Sequence, residues 1–324
     1  MKPLNKILIA AIIIAISGIA ILAFRDNKKD YRAHNPQKTV FLYELNPSVA
    51  VKTNNFSEYV RRFAGNNFNE LKQVQVANGL RFTSNDPSEF YEVNESEGHF
   101  SFSKNLSRYM GNYKPALPEP KTAQEIARKF LSENKLMAEN PGEMQLIHSG
   151  GLRSDDENGN VIDKMITLTY GRVLDGVPVI GRGSKIVVNV GDNGEVVGLT
   201  RNWKAYLTKN ELKSSEVKAE AEMQREFDAQ VIQQFGKGTK AEIKRSYMVY
   251  FDNGGKFLQP VMAYETNIRL LKAGEVKEFP YLGIIEAMRT PREKLNLTGV
   301  DALGKRRIIG NNPDSKQQSL DKED

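Results

Sequence analysis

The chain has 324 residues, room for two or three compact units, and its 40% hydrophobic and 27% charged content exclude a wholly disordered protein. Its net charge of +6 is spread along the chain, with no basic stripe interleaved with aromatics. That pattern excludes nucleic acid as a partner and leaves an anionic envelope surface open.

Lys2 and Lys6 precede an apolar run from Ile7 to Phe24. The run is just long enough to cross a bilayer core of about 30 Å at about 1.5 Å per residue. A cleaved signal peptide has a shorter apolar region ending in small residues, and Ala20 and Ala23 make a poor cleavage site before Phe24. The expectation is therefore a cytoplasmic segment at 1–6, a transmembrane anchor at 7–24 and a polar stalk at 25–38. Arg25, Lys28, Lys29 and Arg32 are set against Asp26 and Asp30, so the flanking charges leave orientation open.

Beyond the stalk the sequence predicts one pattern three times, a capped amphipathic helix followed by strands. In the first unit, 39–114, Asn55 and Glu58 suit a helix start, Phe56, Tyr59, Val60 and Phe63 share a face, and Gly65 ends it. Strands follow at Lys72–Val76, Leu80–Thr83, Phe90–Val93 and His99–Ser103. Pro115, Pro118 and Pro120 mark a linker.

The second unit, 121–206, opens with Thr122 and Glu125 as a capping box, and Ala123, Ile126, Ala127 and Phe130 recur at helical spacing. Met165 to Tyr170 and Ile186 to Val190 alternate with the period of two of half-buried strands. Asp192-Asn193-Gly194 supplies residues that accept positive φ, so the strands on either side form a hairpin.

In the third unit, 214–303, a helix starts at Ser214 or Ser215, and Met223, Phe227, Val231 and Phe235 lie four apart before Gly236. A hairpin turning at Asp252–Gly255 follows, with Pro260 pointing to an edge or bulge in its return strand. Residues 304–324 read as a disordered tail. The expected fold class is α+β: an N-terminal transmembrane helix and repeated units, each with its helix on one side of an antiparallel sheet.

Tyr170, Gly176, Val177, Pro178, Val179 and Gly181, followed by Ile186–Val190, Gly194 and Val196, carry a resemblance. This run resembles the propeptide domains of secreted, thermolysin-type metalloproteases and the related PepSY domains. Tyr250, Leu258, Gln259, Pro260 and Tyr264 are similar to the repeated modules of membrane-anchored regulators of cell-wall histidine kinases. The resemblance implies an extracytoplasmic, non-catalytic module that acts through protein contacts, and places the body outside the cytoplasm. It carries over no catalytic residues, and no peptidase sequence follows as it would in a protease precursor. Gly176 and Pro178 are expected to shape a kinked connection and Gly181 and Gly183 a close backbone approach. Trp203, the single tryptophan, is expected in the core.

Sites for chemistry are sparse. His34, His99 and His148 are isolated, and the absence of cysteine removes disulfides and thiolate metal ligands. Gly181–Ser184 and Gly236–Thr239 superficially suggest phosphate loops, but neither opens a helix. Asp155–Asn160 lacks the terminal bidentate glutamate of a helix-loop-helix calcium site. No catalytic, cofactor or metal residue is expected. The sequence favours an envelope regulator that contacts a peptidase or sensor kinase, over a concealed hydrolase or transferase or a module binding cell-wall polymer.

Overall fold

The computed structural model describes residues 39–46, 49–76, 78–104, 106–155, 159–272, 275–295, 297–300 and 306–309. The expected cytoplasmic segment, anchor and stalk lie outside the described residues, as does the tail apart from 306–309. Among the described residues no helix is long and apolar enough to cross a membrane.

The chain begins with strand β1 (Phe41–Leu45) and helix α1 (Phe56–Ala64). Next come β2 (Lys72–Val76), β3 (Gly79–Thr83), β4 (Phe90–Asn94) and β5 (His99–Ser103). Helix α2 (Pro120–Glu133) leads to β6 (Met144–Asp155), β7 (Val161–Leu174) and β8 (Val177–Gly181). The hairpin of β9 (Lys185–Val190) and β10 (Val196–Asn202) is followed by β11 (Tyr206–Glu211) and helix α3 (Glu220–Phe235). Three long strands, β12 (Lys240–Asp252), β13 (Phe257–Lys272) and β14 (Glu275–Glu286), precede the small ladder of β15 (Leu297–Val300) and β16 (Arg306–Ile309).

The expected repeat of separate helix-plus-antiparallel-sheet units is overturned. The strands form one 14-stranded sheet in the order β11-β1-β13-β12-β8-β7-β9-β10-β5-β4-β3-β2, with β14 on β13 and β6 on β7. It is a mixed sheet, because β12 runs parallel to β8 through Tyr250↔Val179 and Phe251↔Ile180. β1 has no counterpart among the expected elements and sits between β11 and β13. The physical reason is long-range pairing: β5 joins β10 antiparallel from Ser103↔Gly198 to His99↔Asn202. Local periodicity places residues on a face but says nothing about which distant strand supplies the neighbour.

Two compact units result. The described residues of Met1–Lys218, Met248–Val261 and Ala287–Glu293 form the first. Its main core merges the stripes of α1 (Phe56, Tyr59, Val60) and α2 (Ala123, Ala127, Leu131) with Phe82, Tyr91, Phe100, Phe102, Leu168, Tyr170, Ile186, Val188 and Trp203. Phe63 of α1 stacks on Phe102 at 4.9 Å and meets Phe130 of α2 at 5.5 Å, so both helices cover one continuous surface. A smaller cluster of Tyr43, Leu45, Leu174, Val177, Val179, Tyr250 and Leu258 fills the region of β1 and β8. In the second unit, α3 buries Met223, Phe227 and Val231, with Phe227 stacked on Tyr264 at 4.5 Å.

Helix α1 starts at Phe56 with Asn55 at the N-cap position, as expected, and the other two helix starts differ. The Asn55 side chain accepts from the Lys52 amide and makes no bond to the helix it precedes. α2 begins at Pro120, whose fixed φ suits a first turn, so Thr122 lies inside the helix and is no cap. Ser214 and Ser215 belong to a single 3₁₀ turn, and α3 starts later at Glu220.

Candidate functional site

The end of the first unit formed by β1, β11 and the β7–β8 turn encloses a polar cleft of about 270 Å³. Its rim begins with the two-residue loop Asp175-Gly176, flanked by the pairs Val173↔Pro178 and Leu174↔Val177. Both loop residues have positive φ, 52° and 79°, as a type I′ turn requires. The turn projects the Asp175 carboxylate, which accepts from the Tyr43 hydroxyl at 2.8 Å and from Lys209 Nζ at 2.6 Å. Burial and the bond to Asp175 push the Tyr43 phenol well above its usual range, so it stays a donor. The Lys209 ammonium also lies over the Phe41 ring at 4.1 Å.

Tyr206 and Lys209 line the cleft together although they are three apart on β11. Residues an odd number apart on a regular strand point to opposite faces. Here Glu44 pairs with Thr208 and Leu45 with Tyr206, so Leu207 is an extra residue that restores the shared face. The Tyr206 ring meets Tyr43 edge-on at 5.4 Å, and Tyr43 meets Tyr250 likewise at 5.0 Å. Tyr206 and Leu207 remain 39% and 59% exposed.

The opposite wall comes from the single turn Pro141–Glu143. Glu143 accepts from the Asn140 amide at 2.9 Å and faces Arg172 Nε at 3.4 Å. Arg172 is fully buried, lies 4.3 Å from the Trp203 ring, and donates to the Lys204 carbonyl. Burial raises the Glu143 carboxyl above its usual range, with Arg172 opposing, and the same burial pulls the guanidinium down. This pair anchors the wall from below. The described lining offers aromatic faces, hydrogen-bonding groups and the titratable side chains of Glu143, Asp175 and Lys209.

The sequence-selected residues do not converge. Gly176 is the only one on the cleft lining, and Trp203, 1% exposed, supports it through Arg172. Tyr170 is core, and Pro178 sits in β8 opposite Val173. Gly181 (φ 109°) and Gly183 pass close against Asp252, whose backbone or carboxylate a Cβ at either would strike. Asp252 there accepts from Ser184 Oγ at 2.5 Å and from the Gly254 amide at 2.8 Å. Gly194 lies apart, against Ile126 of α2. Sequence reasoning missed Tyr43, Glu143, Asp175, Tyr206 and Lys209. The Asp-Gly dipeptide was the one local signal for their meeting point.

Other candidates resolve structurally. His99 bonds Asn202 at 2.6 Å and Ser101 at 3.0 Å. No group of three or more acidic, His or Cys residues is placed to hold a metal ion among the described residues. Residues 156–158 of the acidic loop, and His34, lie outside the described residues. No known protein family's profile matches the chain, and no curated protein matches it significantly.

Proposed function

We propose that the protein is a membrane-anchored binder, its body outside the cytoplasm, that docks an extended segment of an envelope protein such as a peptidase or sensor kinase along β11. The observation that carries this reading is the exposed strand beside the cleft. β11 stands at one end of the strand order, and among the described residues it pairs only with β1. Its free backbone groups can take an added strand, while Tyr206, Leu207 and the cleft offer side-chain contacts. The basic residues and apolar run at the N-terminus support the anchor. The likeness of Tyr170–Val196 to propeptide and PepSY sequences supports work by contact and a location outside the cytoplasm.

The test is a pull-down from membranes with the full chain in detergent, comparing wild type with the double variant Tyr206→Ser, Leu207→Ser. Loss of a captured envelope protein, at unchanged melting temperature, supports the proposal. Undiminished capture moves the interface elsewhere. Turnover of an envelope substrate abolished by Glu143→Gln would replace binding with hydrolysis.

A further inference from the structure

At the opposite end of the strand order stands β2, a second sheet edge that the proposed function does not use. Among the described residues it pairs with β3 alone, in unbroken register from Lys72↔Thr83 to Val76↔Gly79. Lys72, Gln73, Val74 and Gln75 are exposed, and Val76 is half-buried. Edge strands are normally blunted by bulges, prolines, inward charges or several lysines. β2 has no bulge in its ladder, no proline and one lysine at its very start.

The sequence of β2 also says what fits it. Lys-Gln-Val-Gln-Val is symmetric about Val74 over its central three residues. An antiparallel copy centred there sets Val74 against Val74, Gln73 against Gln75, and Lys72 against Val76. Val74 meets its own copy, amide meets amide, the aliphatic stem of Lys72 lies beside Val76, and no like charges are opposed. Shifting the register by one residue sets Val74 against a glutamine. Centring it on Gln75 pairs Val74 with Val76 but runs Lys72 and Gln73 past the end of the strand, so only the register about Val74 pairs all five residues. Such self-complementarity is what a two-fold interface demands, since each side presents the same patch. We infer that β2 is a homotypic edge at which two copies of this chain pair antiparallel about Val74.

A five-residue strand pair falls well short of the roughly 1,000 Å² expected of a stable interface. The pairing is therefore weak and in rapid exchange, and it has to be trapped to be seen. The chain has no cysteine, so a single introduced thiol reports its own position. Residues directly opposed across an antiparallel pair have Cα atoms about 4.5–5.5 Å apart, inside disulfide reach. Residues displaced by two lie diagonally, at or beyond the roughly 7 Å limit.

The experiment uses full-length Val74→Cys, Gln73→Cys and Gln75→Cys proteins under mild oxidation, read as disulfide dimer on a non-reducing gel. Val74→Cys is expected to cross-link readily. Gln73→Cys alone should give about tenfold less, and its mixture with Gln75→Cys should cross-link again. No dimer from Val74→Cys, or equal dimer at every position as random collision gives, overturns the inference. Unchanged melting temperatures before oxidation establish that the exposed substitutions leave the fold intact.

Discussion

Lys185 shows what single residues contribute to this sheet. It is 5% exposed, its ammonium donates to the Gly181 carbonyl, and Asp252 supplies an opposing charge that acts on it. Burial lowers its pKa to about 8, against the weaker pull of Asp252. A base depressed on folding is bound by fewer protons in the native state than in the unfolded chain. Between about pH 8 and the ordinary lysine value, stability contributed by this group rises with pH. The depression amounts to at most about 3 kcal/mol. Wild type minus Lys185→Met, measured by urea unfolding at pH 7.5 and 10, should show that rise, and the variant should be no less stable at pH 7.5. An equal pH response in both proteins would place the titration elsewhere. Lys164, Arg201 and Lys204 follow the same plan, each buried and donating to backbone carbonyls: Gly111 and Tyr113, Leu136 and Trp203, Ser96 and Gly254. These cations tie loops to the sheet. In the sequence they look like surface lysines and arginines, because only the fold shows which carbonyls surround them.

At the scale of elements, hairpins were legible and helix caps were not. The turn at Asp192-Asn193-Gly194 has positive φ at Asn193 (52°) and Gly194 (79°), as its residue types predict. A Cβ on Gly194 would also stand 2.7 Å from Ile126 Cδ1. Gly194→Val should therefore destabilise by more than the roughly 1 kcal/mol at stake in a compatible glycine substitution, read as a shift in the urea midpoint. Wild-type stability would mean that α2 and the turn move apart freely. Caps misled because Thr122 and Ser214 satisfy the motif locally while packing starts those helices elsewhere, and Asn55, at the N-cap position of α1, turns its side chain to the Lys52 amide. The proline-rich stretch was legible as irregular chain, but its attachment was not. Asp192 accepts from the Ala116 amide and the Tyr113 hydroxyl, each at 2.7 Å, and pairs with Arg108 at 2.8 Å, which straps that stretch over the hairpin. The cleft was invisible for the same reason, since β1, β11 and the Asp175 turn meet through pairings more than a hundred residues apart in sequence.

At the scale of the molecule, a sheet that closes through distant pairings cannot be cut where its sequence pattern repeats. Residues 121–206 carry the strand pattern that stands out most clearly, and a modular protein would let them fold alone. In this structure β10 needs β5 beside it, and Phe130 of α2 packs on Phe63 and Phe102 from the preceding segment. Phe56, Tyr91, Val93, Phe100 and Phe102 are all buried in the same core and would all be lost. At about 1.5–3 kcal/mol for each large apolar side chain buried, that loss matches the whole stability of a typical domain. A chain of residues 121–206 alone should show no cooperative unfolding transition and should bind hydrophobic dyes. Adding residues 39–114 as a second chain should restore a cooperative melt, because the missing strands and helix face come with it. The measurement is circular dichroism through a thermal ramp on each piece and on the mixture. A sharp, reversible transition in 121–206 by itself would make that segment an independent module, and the shared core would then be an accessory to its folding.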